Sequence, residues 1–239
     1  MPDNAVIRRV SALDLKVESG VWPWAQSRRG DIDAHFAMRQ REKPRIWNGQ
    51  VLLARNADFS GGRLSSSYFQ TDFASFLAWR DWGFPDPDVF NGFGMGALCS
   101  SDGAFVLGEM GGQTVNAGRI YFPAGTPDPD DIVGDTLDIA GSIAREIEEE
   151  TGLTPDDYQG GRDWYCVAVG AAVAIIRILT VDMPGEALKA RIEANLARQA
   201  HPELSAIHLV RSTSDLSASM PRFVTAFLEH AFANSGALS

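Results

Sequence analysis

Arg145-Glu146-Ile147-Glu148-Glu149-Glu150-Thr151-Gly152-Leu153 decides how this chain is read. At helical spacing Glu146, Glu149 and Glu150 fall at i, i+3 and i+4, so their carboxylates share one face. Like charges that close repel one another. A divalent cation is the natural compensation, because hard cations such as Mg²⁺ take carboxylate and phosphate oxygens. Acidic triplets also occur on helix faces that merely meet solvent, so the triplet alone does not make a site. Its flanks sharpen the reading. Ile139, Ile143 and Ile147 put an apolar stripe on the side away from the carboxylates. Gly152 suits a left-handed helix cap, and Leu153 can fold back onto the last turn. The spacing predicts a helix from about Thr136 to Thr151, capped by Asp135 or Thr136.

The same nine residues fit R-E-U-x-E-E-x-G-U, where U is a bulky aliphatic residue, and so resemble the second half of the Nudix box. Tyr121-Phe122-Pro123-Ala124-Gly125 looks like the Phe-Pro-Gly-Gly element that precedes the box in many Nudix hydrolases. The resemblance covers roughly residues 91–234. It implies an α/β fold, a mixed-sheet α/β/α sandwich whose loop–helix–loop grips Mg²⁺ or Mn²⁺. It implies a hydrolase, a pyrophosphatase that cleaves the diphosphate of a nucleoside diphosphate-linked compound. Glu146, Glu149 and Glu150 would be the metal ligands, and Gly125 would lie against the substrate. Arg145 would fix the ligand geometry, from the other side of the helix or by pairing with a helix carboxylate. The general base in the family is a box Glu or a Glu from a later loop. Glu203, in His201-Pro202-Glu203-Leu204-Ser205, is the candidate here, with a solvent-exposed loop residue as its plainer reading.

The front half of the box departs from the family pattern. The full signature is G-x5-E-x7-R-E-U-x-E-E-x-G-U, and counting back from Arg145 puts its Glu on Leu137 and its Gly on Asp131. Gly134-Asp135-Thr136 resembles the usual Gly-Glu-Thr but stands too early. Asp135 or Asp138 could replace the missing Glu, or both could be helix-start acids favoured by the macrodipole. The UDP-glucose pyrophosphatase branch of the family has a similarly long and degenerate front half. It also carries an element like Arg41-Glu42-Lys43-Pro44-Arg45-Ile46-Trp47-Asn48-Gly49. That second likeness implies a UDP-sugar substrate, split to UMP and a sugar 1-phosphate. ADP-ribose, a CoA derivative, or a non-catalytic nucleotide sensor are the alternatives.

Composition narrows the partners. The chain has 239 residues and a net charge of −10. That acidity argues against nucleic acid, whose phosphate backbone asks for basic surface. A nucleotide remains compatible where a metal and local Arg or Lys neutralise its phosphates. Cys99 and Cys166 sit in apolar, strand-like surroundings and read as reduced core residues. The N-terminus lacks an apolar signal core, and the run from Val167 to Ile176 is too short to span a bilayer. A cytoplasmic protein with no membrane partner is the expectation, with a homodimer left open.

Residues 1–90 hold five of the six tryptophans and read as an N-terminal α+β region. Residues 91–239 read as the Nudix domain. Helices are predicted over 32–41, 73–82, 186–199 and 222–233, the second capped by Thr71-Asp72. Strands are predicted over 50–55, 64–70, 93–99, 104–109, 119–122, within 164–182, and over 206–210. Trp47, Asn48 and Tyr68 are the candidates for holding a substrate base or ribose, with core packing as the competing use of Trp47.

Overall fold

Val89–Ser100 is the strand on which the rest of the molecule hangs. The computed structural model describes residues 4–234. In chain order its elements are β1 (Val6–Val10), β2 (Ala12–Glu18), α1 (Pro23–Ser27), α2 (Arg29–Glu42), β3 (Gln50–Asp58), β4 (Arg63–Asp72), α3 (Phe73–Asp81), β5 (Val89–Ser100), β6 (Phe105–Met110), β7 (Ile120–Tyr121), β8 (Ile132–Val133) and β9 (Thr136–Leu137). They continue with α4 (Ile139–Thr151), β10 (Gln159–Val169), β11 (Ala172–Val181), α5 (Gly185–Leu196), β12 (Leu204–Val210) and α6 (Arg222–Ala233). The sheet runs β1-β10-β11-β5-β3-β4-β2-β9-β8, and β6 joins the end of β5 carrying β12 and β7. β5 pairs with β11 in parallel and β2 with β4 in parallel, while the neighbouring pairs are antiparallel, so the sheet is mixed.

Strand alternation explains the layers. Successive residues of a strand point to opposite faces. On β5, Phe93 meets Phe223 of α6, whereas Gly94 and Gly96 lie under Ile143 and Ile147 of α4. Helices α4 and α6 therefore cover opposite faces, and the architecture is an α/β/α sandwich. The expected apolar stripe is the packing surface: Ile139, Ile143 and Ile147 are all buried. A Cβ on Gly96 would stand 2.4 Å from Ile147 Cδ1, and one on Gly94 2.7 Å from Ile143 Cγ1. The helix can sit this close only because both positions are glycine.

The N-terminal region is continuous with this sheet. Position 90 falls inside β5, whose Val89 and Phe90 pair with β3 while Asn91 to Ser100 pair with β11. One apolar cluster takes Leu15, Leu52 and Tyr68 together with Met95, Ile143 and Val173. Residues on both sides of position 90 thus share one sheet and one apolar cluster. A second cluster, with Trp22, Ile32, Phe36, Leu53, Leu77 and Trp79, lies under α1–α3. On β3, Leu52 and Ala54 face the first cluster, and Val51 and Leu53 face the second. A strand covered on both faces reads as an unbroken apolar run, as Val51-Leu52-Leu53-Ala54 does.

The start of α4 differs from expectation. It begins at Ile139, and Asp138 caps it by accepting from the Gly141 amide at 3.0 Å. Thr136 and Leu137 belong instead to a β8–β9 hairpin that turns on Gly134, at φ 68°. Val17 of β2 donates its amide to the Asp135 carbonyl at 2.8 Å, and Lys16 pairs with the Asp135 carboxylate at 3.3 Å. These contacts stitch the N-terminal strands to the segment that leads into α4. Asp135 thus pairs with Lys16, and Asp138 caps α4. Cys99 and Cys166 are both free thiols.

Candidate functional site

Helix α4 sets its acids against the turn whose Ala124 and Gly125 line a large cleft. Its C-terminus is fixed by Gly152 in the left-handed region, φ 73°, whose amide donates to the Glu148 carbonyl at 2.9 Å. The Pro123-Ala124-Gly125 turn lies directly against the acids. A Cβ on Gly125 would stand 2.2 Å from Glu146 Oε1, so only glycine leaves room for the carboxylate. The Ala124 amide favours the charged form of Glu150. The three acids are graded in exposure. Glu150 is 4% exposed, the Glu146 side chain 15% and the Glu149 side chain 62%.

The electrostatics of this cluster are unbalanced. Burial pushes Glu146 up to about 7; Arg145 pulls the other way, and Glu149, Glu203 and Asp131 push it further. Glu150 is raised well above the usual carboxylate range, first by burial and then by Glu146 and Glu203. Among the described residues Glu150 has no ion-pair partner. Buried charges are ordinarily paired or bind metal. No three His, Cys, Asp or Glu side chains among the described residues form a ready-made metal cage. The donor chemistry nonetheless fits a hard divalent cation: two largely buried carboxylates and one at the surface, all oxygen donors that sense one another's charge.

Among the described residues Arg145 is the one cation paired with these acids, and it takes the second of its two expected arrangements. It donates to Glu146 at 3.3 Å and lies 4.0 Å from Glu149. Its other amino group donates to Asp131 at 2.9 Å. Asp131 is 5% exposed and also accepts from the Ser142 hydroxyl at 3.0 Å and the Asp128 amide at 3.1 Å. A chain of contacts therefore runs Asp131–Arg145–Glu146. Burial alone would weaken the Arg145 charge, but the Asp131 hydrogen bond and charge more than offset it, and its pKa is raised. Asp131 stands where the box pattern has Gly, and Leu137, where the pattern has Glu, is core at 3% exposure. Sequence reasoning registered Asp131 only as a mismatch. No spacing rule joins it to Arg145 across the hairpin.

The cleft encloses about 1020 Å³. Ala124, Gly125, Tyr121 and Glu203 line its acidic end. Glu203 is exposed at the cleft wall; desolvation raises its pKa, and Glu149 adds to this. It acts in turn on Glu146 and Glu150, so it belongs to the cluster although it arrives from the loop before β12. The N-terminal region forms the facing wall with Arg45, Trp47, Phe73, Phe76, Arg80 and Phe84. Phe84 holds an uncommon positive φ of 61°, and its ring packs on Trp79 at 4.8 Å. Arg119 and Arg222 also line the cleft. Arg80 pairs with Asp81 at 3.2 Å and Arg222 with Glu229 at 2.9 Å, whereas Arg45 and Arg119 have no acidic partner among the described residues; sequence reasoning gave none of the four a role.

The N-terminal candidates separate. Trp47 is 77% exposed and lines the cleft, so it is not core. Asn48 is occupied in structure: its Oδ1 accepts from the Ala74 amide at 2.7 Å, holding the first turn of α3. Tyr68 is fully buried and donates its hydroxyl to the Gly92 carbonyl at 3.3 Å. Neither of the last two is placed to meet a ligand in the cleft.

No family model matches the chain, and no curated protein matches it in sequence. Solved structures do resemble it. A Nudix hydrolase from M. smegmatis, RenU, is 12% identical over 59% of this chain and 84% of its own, with a TM-score of 0.37. The MutT protein from Methanosarcina mazei Go1 is 19% identical over 61% and 95%, with a TM-score of 0.37. A bifunctional NMN adenylyltransferase/ADP ribose pyrophosphatase from Francisella tularensis is 12% identical over 66% and 45%, with a TM-score of 0.42. Among the described residues no helix is long and apolar enough to cross a membrane.

Proposed function

We propose that this chain is a Nudix-type diphosphatase that hydrolyses a nucleoside diphosphate-linked compound with Mg²⁺ or Mn²⁺. The observation that carries the reading is the acid cluster: Glu146 and Glu150, largely buried and raised in pKa, lie against the Ala124-Gly125 turn, and that turn lines a cleft to which Arg45 and Arg119 bring guanidinium groups with no acidic partner among the described residues. A site that gathers negative charge at one end and positive charge along its walls suits a metal–diphosphate complex.

Glu146, Glu149 and Glu150 would hold the metal. When bound, it supplies Lewis-acid neutralisation of phosphoryl oxygens and a more acidic water. Glu150 contributes a buried carboxylate, with the Ala124 amide supporting its charge. Arg145, anchored on Asp131, keeps Glu146 from swinging outward. Gly125 lets the substrate loop approach the carboxylates. Glu203 is the proposed base: its raised affinity for protons suits it to take one from the attacking water. Oxygen from that water bonds to phosphorus, the bridging P–O bond breaks, and the bridging oxygen leaves with the second phosphate.

A UDP-sugar is the proposed substrate, supported by the likeness of the Arg41–Gly49 stretch to the UDP-glucose pyrophosphatase branch and by its place in the cleft wall. The test is a panel of UDP-sugars, ADP-ribose and CoA derivatives, assayed with Mg²⁺ and with EDTA. Metal-dependent UMP release from UDP-sugars is expected. Turnover of ADP-ribose alone would replace the substrate. Silence across the panel, with UDP still raising Tm, would make the chain a nucleotide sensor.

A further inference from the structure

The Lys43–Gly49 turn meets the loop of residues 111–119 across the cleft. The Lys43 ammonium donates to the Thr114 carbonyl, latching one loop to the other. The turn is itself well held. The Ile46 amide donates to the Lys43 carbonyl at 3.1 Å, Gln40 donates to the Ile46 carbonyl at 3.0 Å, and the Ile46 side chain is buried. A Cβ on Gly49 would stand 2.8 Å from the Trp47 ring, so the indole packs directly against the glycine.

On the opposite loop the Arg119 amide donates to the Asn116 carbonyl at 3.0 Å, and Asn116 donates to the Tyr121 hydroxyl at 3.2 Å. Tyr121 feels the charges of Glu150, Glu203 and Glu146, which puts this loop beside the acid cluster. Arg45 and Arg119 both line the cleft. Neither has an acidic partner among the described residues, although the chain holds 31 acids against 21 Lys and Arg. Their planar, permanently charged guanidinium groups match phosphate oxygens in bidentate fashion. Trp47, two residues from Arg45, offers an exposed π-face of the kind that nucleobases stack on.

We propose that the two latched loops form a nucleotide clamp, in which Arg45 and Arg119 take the phosphate charge and Trp47 stacks on the base. The clamp deepens the diphosphatase reading and rests on it for the identity of the ligand. It joins Arg119, from the loop before β7, to the Lys43–Gly49 turn in one recognition site.

Calorimetric titration with UDP and with inorganic pyrophosphate, both in Mg²⁺, tests it in the full chain. Arg45→Ala and Arg119→Ala should each weaken both probes by about tenfold or more, the worth of one charge-assisted contact. Arg→Lys at either position should restore only part. Trp47→Ala should weaken UDP but not pyrophosphate. The Tm rise given by Mg²⁺ alone should be unchanged in all these variants, which a misfolded protein would not allow. Arginine variants that bind both probes within twofold of wild type would overturn the clamp, and so would a wild type that binds neither. A wild type that binds through these residues yet hydrolyses nothing would overturn the diphosphatase reading and leave the clamp standing.

Discussion

Glu146→Gln should stabilise this protein in EDTA and deprive it of its response to Mg²⁺. The Glu146 carboxylate moves from an ordinary value of 4.5 to about 7 in the folded chain. Between these values the folded protein keeps a proton that the unfolded chain has released. The group's contribution is therefore fully present below about 4.5, is lost as pH rises, and levels off above about 7. At about 1.4 kcal/mol per pH unit, ionised Glu146 costs at most about 3 kcal/mol at pH 8. Gln removes that cost but also weakens the 3.3 Å contact with Arg145. A net gain of about 1–2 kcal/mol remains, or roughly 2–8 °C in Tm for a chain of this size. With Mg²⁺ the order reverses, because only the wild type gains binding energy on folding. Thermal unfolding at pH 5 and pH 8, with EDTA and with Mg²⁺, reads all four arms. A variant that is less stable than wild type at pH 8 in EDTA, or that keeps the full Mg²⁺ shift, would refute the reasoning.

Three further substitutions probe the scaffold. Asp131→Asn removes the buried charge that anchors Arg145 and should cost about 1–3 kcal/mol; Mn²⁺ titration should also show weaker metal binding, since Glu146 loses its tether. Gly125→Ala would place a Cβ 2.2 Å from Glu146 Oε1 and should depress kcat more than Tm, measured side by side on the same preparation. Gly96→Ala drives a methyl into Ile147 Cδ1 at 2.4 Å and should cost about 1–3 kcal/mol in urea unfolding, with β5 and α4 forced apart.

The parts of this fold that show in the sequence are those built on strong local periodicity. The Ile139-Ile143-Ile147 stripe predicts both the helix and its packing face, and Asp72 and Gly152 mark helix ends as their side chains require. Glu146, Glu149 and Glu150 follow from the same spacing. What stays hidden is set by contacts between distant residues. The β8 and β9 strands are two residues each, too short for a periodic signal; β9 pairs with β2, and β8 pairs with β9. That pairing delays the helix start to Ile139 and commits Asp135 to Lys16. Tyr68 and Trp47 exchange roles for a similar reason. Tyr68 sits in the first apolar cluster with its hydroxyl on the Gly92 carbonyl of β5, and Trp47 sits on a turn whose buried anchor is its neighbour Ile46. Glu203 reaches the acid cluster only because β12 pairs with β6 and sets the preceding loop beside Gly111, whose amide donates to the Glu203 carbonyl at 2.7 Å.

The most direct test of the central claim is a Mn²⁺ titration of the wild type, Glu146→Gln and Glu150→Gln, followed by electron paramagnetic resonance of the free ion. The carboxylate cluster of α4 predicts saturable binding in the wild type, displaced by Mg²⁺, and a loss of at least about tenfold in affinity for each variant. Equal Mn²⁺ binding in all three proteins would contradict it.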